Sequence, residues 1–502
     1  MRALSKLLSI QFSRIIMMQN LRFNFTLKTP LQGVLLSIVS FILIILTIVA
    51  LAIFSLDYIQ PSGLMPVQNK QGLVIDNINI VMVKTNQVLK KRQLVINQGR
   101  ITAINLAGSP VPQKTRIIDG DGMYVTPGLF DMHVHLGDRK YLMLNLAYGV
   151  TSVRNLNGKK MHLRWRQELQ NEQWLGSNLF LSSPILAGKD THALNQKIHS
   201  PQQGIEQVRK AKANGYDLIK VYGYLSPDIF EAIIDEARHI NIAVAKHGPH
   251  PAKGSDWHYL EGLQSLEHVE DIFQGPLNYQ FDDAKLQTVA KQLRVLNVPV
   301  VPTLETFHHL TQLSNDKQTF IDSLELEFLN PLHLDLESHF TVARWIQDNE
   351  QQSAYHRREL SFLLEIVKVL HQNKVKLLVG SDAGTMYTVP GIATHNEMQL
   401  LQQAGLSNFE VIQAATIHAA QALKIDHQVG SVEIGKIADL IITTHNPLED
   451  IQELRHPSAV IKNGQWLDQV ALAQLKQAAK NTDGYFWSVI NLLEDLLTRA
   501  LF

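Results

Sequence analysis

The chain has 502 residues, with 46 Lys plus Arg balanced by 46 Asp plus Glu, and it contains no cysteine. Neutrality excludes the basic excess of a nucleic-acid-binding domain. The lack of cysteine excludes disulfides and thiolate metal sites, so any metal must be held by imidazole, carboxylate or lysine-derived groups.

Residues 1–33 form a basic leader, with Arg2, Lys6, Arg14, Arg22 and Lys28 and no acidic residue. Val34–Phe54 is an uncharged run of 21 residues rich in Leu and Ile, long enough to cross a bilayer as one helix. The charge asymmetry predicts a single-pass anchor, N-terminus cytoplasmic, with the rest on the outer (periplasmic or extracellular) side. A cleaved signal peptide is the rival, because Ala50-Leu-Ala52 has the small residues of a cleavage site. Residues 55–71 read as a linker.

Residues 72–123 alternate in strand fashion, as do 425–470, and both carry hairpin-type turns, Asn97-Gln-Gly99 and Lys462-Asn-Gly464. Between them, 124–424 contains eight strand-like runs, near 124–135, 150–156, 178–186, 217–223, 241–247, 265–269, 298–304 and 376–382. Helical spacing separates them, as in Pro201–Asn214, Asp228–His239 and Asp282–Leu296. Such alternation predicts an α/β fold with a parallel sheet, and eight repeats predict a (β/α)8 TIM barrel. Glu305–Gln372 is long for one connection and reads as a substrate-facing excursion. The tail, 471–502, ends in a helical apolar stripe (Phe486, Val489, Ile490, Leu493, Leu497, Leu501) expected to pack on the chain itself or on a second subunit.

Ligand-type residues close five of these runs. His133 and His135 stand two apart on a strand and therefore share a face. Lys220, His247, His268 and Asp382 end or interrupt four others. Any one of them alone is an ordinary core or loop residue. Together they fall at the C-terminal ends of barrel strands, where such barrels carry their chemistry.

In this order (His-x-His, Lys, His, His, Asp) the chain resembles the metal-dependent amidohydrolase superfamily, in its prolidase-like and imidazolonepropionase-like branch. Val150-Thr-Ser-Val-Arg154, Pro390-Gly391 with His395 and Glu397, and Gly435-Lys-Ile-Ala-Asp439 carry the same resemblance. It implies that 72–123 and 425–470 pair into one composite β-sandwich beside the barrel. It also implies two divalent ions, expected to be zinc: His133 and His135 on one, His247 and His268 on the other, and Lys220 between them as a CO2-derived carbamate.

Asp382 would then touch one ion and move the proton while a metal-bridging hydroxide attacks an amide carbon. His192 is implied to polarise or bind substrate. Tyr222, Tyr224 and His250 are further substrate candidates, Arg154 faces either a substrate carboxylate or a neighbouring acid, and His308 and His309 are expected at the surface. The implied activity is hydrolysis of a C–N amide bond in a small molecule or dipeptide, of Xaa-Pro type. A cyclic-amide hydrolase of imidazolonepropionase type and a non-catalytic metal-bound membrane protein are the alternatives.

Overall fold

The computed structural model describes residues 30–55, 65–66, 72–188, 195–248 and 250–501. The expected leader 1–33 and linker 55–71 lie mostly outside them. The chain divides into two units, Met1–Ile59 and Gln60–Phe502. In the first, the apolar run is helical over Pro30–Ser55, and Ile38, Phe41, Leu43 and Leu46 are each at least half exposed. The expected membrane-spanning helix is not supported: among the described residues no helix is long and apolar enough to cross a membrane. The side chains described without a break there run only from 37 to 53.

The second unit begins with β1 Gly72–Met82, β2 Gln87–Asn97, β3 Arg100–Leu106, β4 Thr115–Asp119 and β5 Tyr124–Pro127. It continues through β6 Leu129–Val134, β7 Val150–Asn155, β8 Asn178–Leu181, β9 Leu186–Ala187, β10 Gln196–Lys197 and β11 Leu218–Val221. Then follow β12 Ala243–His247, β13 Ser265–Glu267, β14 Val300–Val301, β15 Leu440–Thr443, β16 Ala459–Lys462 and β17 Gln465–Asp468.

Parallel ladders join β6, β7 and β8, and separately β9, β11, β12, β13 and β14. Three parallel bridges, Ser182↔Leu218, Val300↔Leu377 and Val134↔Ala383, close these into a ring of eight, in which β8 and β9 together form one member and the segment Leu377–Ala383 is the last. The helices Pro201–Ala213, Pro227–His239 and Asp283–Leu296 fall where the periodicity puts them. Strand residues Leu129, Val150, Ile219 and Val244 share one core with Phe230, Ile233, Leu363 and Ile366 of the helices. Each fully buried aliphatic side chain of this kind contributes about 1.5–3 kcal/mol.

Expected as a sandwich, the flanking segments hydrogen-bond into one eight-stranded sheet. Its path runs β17-β16-β15-β5-β1-β2-β3, with β4 on β1. Both hairpin turns have two successive residues at positive φ, Gln98-Gly99 and Asn463-Gly464, the geometry that suits the twist of paired strands. The first strand-like run, 124–135, is shared: β5 pairs with β1 and β15 in this sheet, and only β6 enters the barrel. Gly128 makes the switch, since a Cβ there would sit 2.2 Å from Thr151 Oγ1.

The C-terminal helix Gly484–Leu501 packs on its own chain, but not by its apolar stripe. Of the stripe Ile490 is buried, whereas Phe486, Val489 and Leu497 are exposed and Asn491, Glu494 and Asp495 are buried instead. The reason is electrostatic: Arg164 on the facing helix holds both oxygens of Glu494 at 3.1 Å and also Asn491.

Candidate active site

The barrel brings the six predicted side chains together. His133, His135, Lys220, His247, His268 and Asp382 line one cavity of about 270 Å3, with Tyr222, Glu270, Phe307 and Thr385 among their neighbours. His133 and His135 have ring centres 5.3 Å apart, His133 and His268 4.6 Å, and His247 and His268 4.5 Å. Asp382 Oδ1 lies 2.9 Å from His135 Nε2 and 3.5 Å from His133 Nε2. These three offer donor atoms within 4.8 Å of one another, a spacing that suits a single ion.

Two of these residues hold backbone conformations that L-residues rarely adopt, His268 at φ +64° and Asp382 at φ +56°. Such strain costs about 1–3 kcal/mol and persists only where neighbours enforce it. Here His268 N–H donates to Val301 O (2.9 Å) and Asp382 N–H to His133 O (2.7 Å). The ring of His268 is tied to Thr303 Oγ1 at 2.7 Å.

The electrostatics favour cation ligands. Burial lowers the pKa of His133 to about 4 and holds His247 and His268 well below the usual imidazole range. All three are therefore neutral near pH 7, the ligating form. Burial works against ionisation of Asp382, but the nearby His133 and His135 outweigh it and hold the carboxyl below its usual range. Lys220 is 1% exposed, and its Nζ has no hydrogen-bond partner. Its pKa falls to about 8, chiefly through burial, against the opposing charge of Glu267. A buried, orphaned amine beside imidazoles and a carboxylate fits a lysine that, converted to a carbamate, would help to hold a metal ion.

Glu267, one residue before His268, was not legible as a site residue, and it orients the cluster. Its Oε2 accepts from His133 Nδ1 at 2.8 Å, which leaves His133 Nε2 facing the cavity. Its Oε1 accepts from Arg154 Nη2 at 2.8 Å. A carboxylate behind a ligating imidazole fixes the tautomer and raises basicity. Asp131 does the analogous work for the eighth segment, accepting from Ser381 N–H (3.0 Å) and Thr394 Oγ1 (2.7 Å).

The remaining candidates separate. Tyr222 lines the cavity and stacks on His247 with ring centres 3.8 Å apart. Arg154 is no substrate contact: it is fully buried and donates to Met132 O, Gln264, Ser265 and Glu267. Tyr224 is 77% exposed and absent from the cavity lining. His250 lies beside the backbone of Gly248 and Gly275 and outside that lining. His309, expected at the surface, is buried, with Nδ1 on Met386 O at 3.1 Å and Nε2 3.2 Å from Glu305. His192 lies outside the described residues.

Residues 124–467 match the model of the amidohydrolase family. The chain belongs to that family. It is 34% identical over 391 residues to urease subunit alpha 2 of Streptomyces coelicolor, covering 72% of this chain and 64% of that one. To imidazolonepropionase of Idiomarina loihiensis it is 22% identical over 401 residues, covering 73% and 90%. The chain thus spans about two-thirds of the length of the urease subunit.

Among solved structures it resembles bottromycin amidohydrolase, with a TM-score of 0.67, 22% identity and coverage of 86% and 93%. A Xaa-Pro dipeptidase with bound methionine gives 0.60, 19% identity, and coverage of 79% and 100%. These two likenesses show the amidohydrolase fold.

Proposed function

We propose that the chain is a binuclear metal-dependent hydrolase of amide C–N bonds in small peptides, with Xaa-Pro dipeptides as its substrates. The observation that carries this reading is the orphaned Lys220 amine, buried within the same cavity as four imidazoles and Asp382. A structural lysine in that position would have a counter-ion or carbonyl partner, because an unpaired buried charge costs several kcal/mol. His133 and His135 would hold one ion, His247 and His268 the other, with zinc the expected metal and Lys220, as carbamate, between them.

When bound, such a pair acidifies water towards neutral pH and polarises a carbonyl. Asp382 Oδ1 takes up the water's proton and returns it to the leaving nitrogen. Positioned proton transfer of this kind contributes about 10²–10⁴-fold. Ile185 and Phe307 give the cavity its apolar lining.

The likeness to imidazolonepropionase favours cyclic amides as the second substrate class. A non-catalytic role has less support, since a binding protein needs no strained carboxylate 2.9 Å from a ligating imidazole. Membrane attachment through Pro30–Ser55, with the catalytic unit on the outer side, is also part of this reading. It rests on the uncharged run and its exposed apolar side chains, and alkaline carbonate extraction tests it: the anchored chain stays in the pellet.

The full chain loaded with zinc should hydrolyse members of a dipeptide panel, stop on chelation and recover on zinc addition. A protein that binds zinc and cleaves neither dipeptides nor cyclic amides would overturn the proposal.

A further inference from the structure

A second cavity, of about 360 Å3, opens beside the six-residue cluster, and His135 and Thr385 line both. The two cavities therefore adjoin at these side chains. The far wall of the second comes from the helix Pro331–Glu337 in the long excursion and from the C-terminal helix, through His333, Glu337 and Ser488.

That wall is held firmly. A Cβ on Gly137, two residues beyond His135, would sit 2.8 Å from His333 Nδ1, so the first-strand loop and this helix are already in contact. Asn330, which caps the helix, donates to Asp138 Oδ2 (2.9 Å) and Ser488 Oγ (2.8 Å).

Glu337 is the charge on the wall, with its side chain 13% exposed. One oxygen, Oε2, accepts from Met386 N–H at 2.6 Å, four residues beyond Asp382. The other lies 3.7 Å from His333 Nε2, outside hydrogen-bond range. Asn157 Oδ1, also lining the cavity, is buried with no partner. Asp483, the other acid in the lining, faces the buried Arg139 at 3.4 Å, and Lys159 has contacts of its own.

A carboxylate mostly removed from water, with one oxygen lacking a hydrogen bond and facing only His333, favours a cation that can donate to it. We infer that this cavity is the subsite for the substrate's amino-terminal residue, with Glu337 as the specificity-determining residue that binds its free ammonium group. This rests on the peptide-hydrolase reading and deepens it, since it restricts substrates to peptides with an unblocked amino end.

Binding and turnover test the two ideas separately. Leucyl-proline and N-acetyl-leucyl-proline are titrated calorimetrically into the zinc-loaded Asp382→Asn protein, with and without Glu337→Gln. The charge-removing change should weaken leucyl-proline about 10–100-fold, the range of a charged hydrogen bond, and leave the acetylated twin unchanged. Asn157→Ala should weaken leucyl-proline by several-fold in the same way, and serves should Glu337→Gln melt early. Equal weakening of both ligands, no weakening of either, or tighter binding of the acetylated form would overturn the inference. Absent turnover of every dipeptide by the unmodified enzyme would instead strike the hydrolase reading alone.

Discussion

Two buried lysines at opposite ends of the barrel show how the same side chain serves different ends. Lys462, near the N-terminal end of β8, holds Asn178 Oδ1 and Asp439 Oδ2 at 2.7 Å each. Its charge is compensated, and it ties the flanking sheet to the barrel. Lys220, within the catalytic rim, is as deeply buried and has no partner for Nζ. A satisfied buried charge reads as architecture and an unsatisfied one as chemistry, the division of labour expected between the two faces of such a barrel.

The contrast breaks most sharply by mutation. Lys220→Met should abolish turnover, by at least about 10³-fold given that both ions and their water depend on it. With both proteins compared metal-free, its melting temperature should stay level or rise, because the change deletes a desolvated amine. Lys462→Met should do the reverse: it strands Asp439 and costs about 3–5 kcal/mol in chemical denaturation, while kcat per folded molecule is kept. If the two variants behaved alike in either assay, the distinction would fail.

Glu267→Ala sharpens the comparison within the rim. Arg154 is left fully buried without its carboxylate, which costs about 3–5 kcal/mol. His133 also loses its tether, so metal affinity should fall about 10–100-fold, read by competition with a chromogenic chelator. Gly128→Ala, at the switch from sheet to barrel, forces a Cβ against Thr151 and should cost about 1–3 kcal/mol, seen as a lower urea midpoint.

A further prediction is a pH dependence from two histidines outside the cluster. Burial lowers His162 and His395 to about 3, with the nearby Lys159 and Arg455 charges adding to the shift. The unfolded chain, with imidazoles near 6.5, binds more protons between those values. Stability is therefore full above about pH 6.5 and falls on acidification towards 3, by about 1.4 kcal/mol per pH unit for each histidine. Urea midpoints measured from pH 8 to 4 should show this fall, and His395→Gln should flatten it.

Much of this site was legible because buried parallel strands write themselves as short apolar runs, and each ligand punctuates one. His133, Lys220, His247, His268 and Asp382 stand at such ends, and the barrel's geometry converges them without further information. What the pattern hides is which charges satisfy one another. Of the two partners the sequence allows for Arg154, a substrate carboxylate or a neighbouring acid, the structure shows the acid; that the acid is Glu267 is hidden because the pairing spans 113 residues and two non-adjacent strands.

His309 is drawn inward by Glu305 in the same way, across a helical turn whose buried face periodicity left ambiguous. The tail helix turns its polar face inward for a related reason: Arg164 pairs with Glu494 there, and most of the apolar stripe, expected on the chain itself or on a second subunit, faces outward. The split at Gly128 lay inside one continuous apolar run, where hydropathy carries no mark of a change of sheet.

Metal counting by elemental analysis on the folded protein, wild type beside Lys220→Ala, addresses the central claim. Two ions per chain in the former and one or none in the latter, with the folded circular-dichroism spectrum retained, is the predicted result. Two ions retained without the Lys220 amine would contradict it.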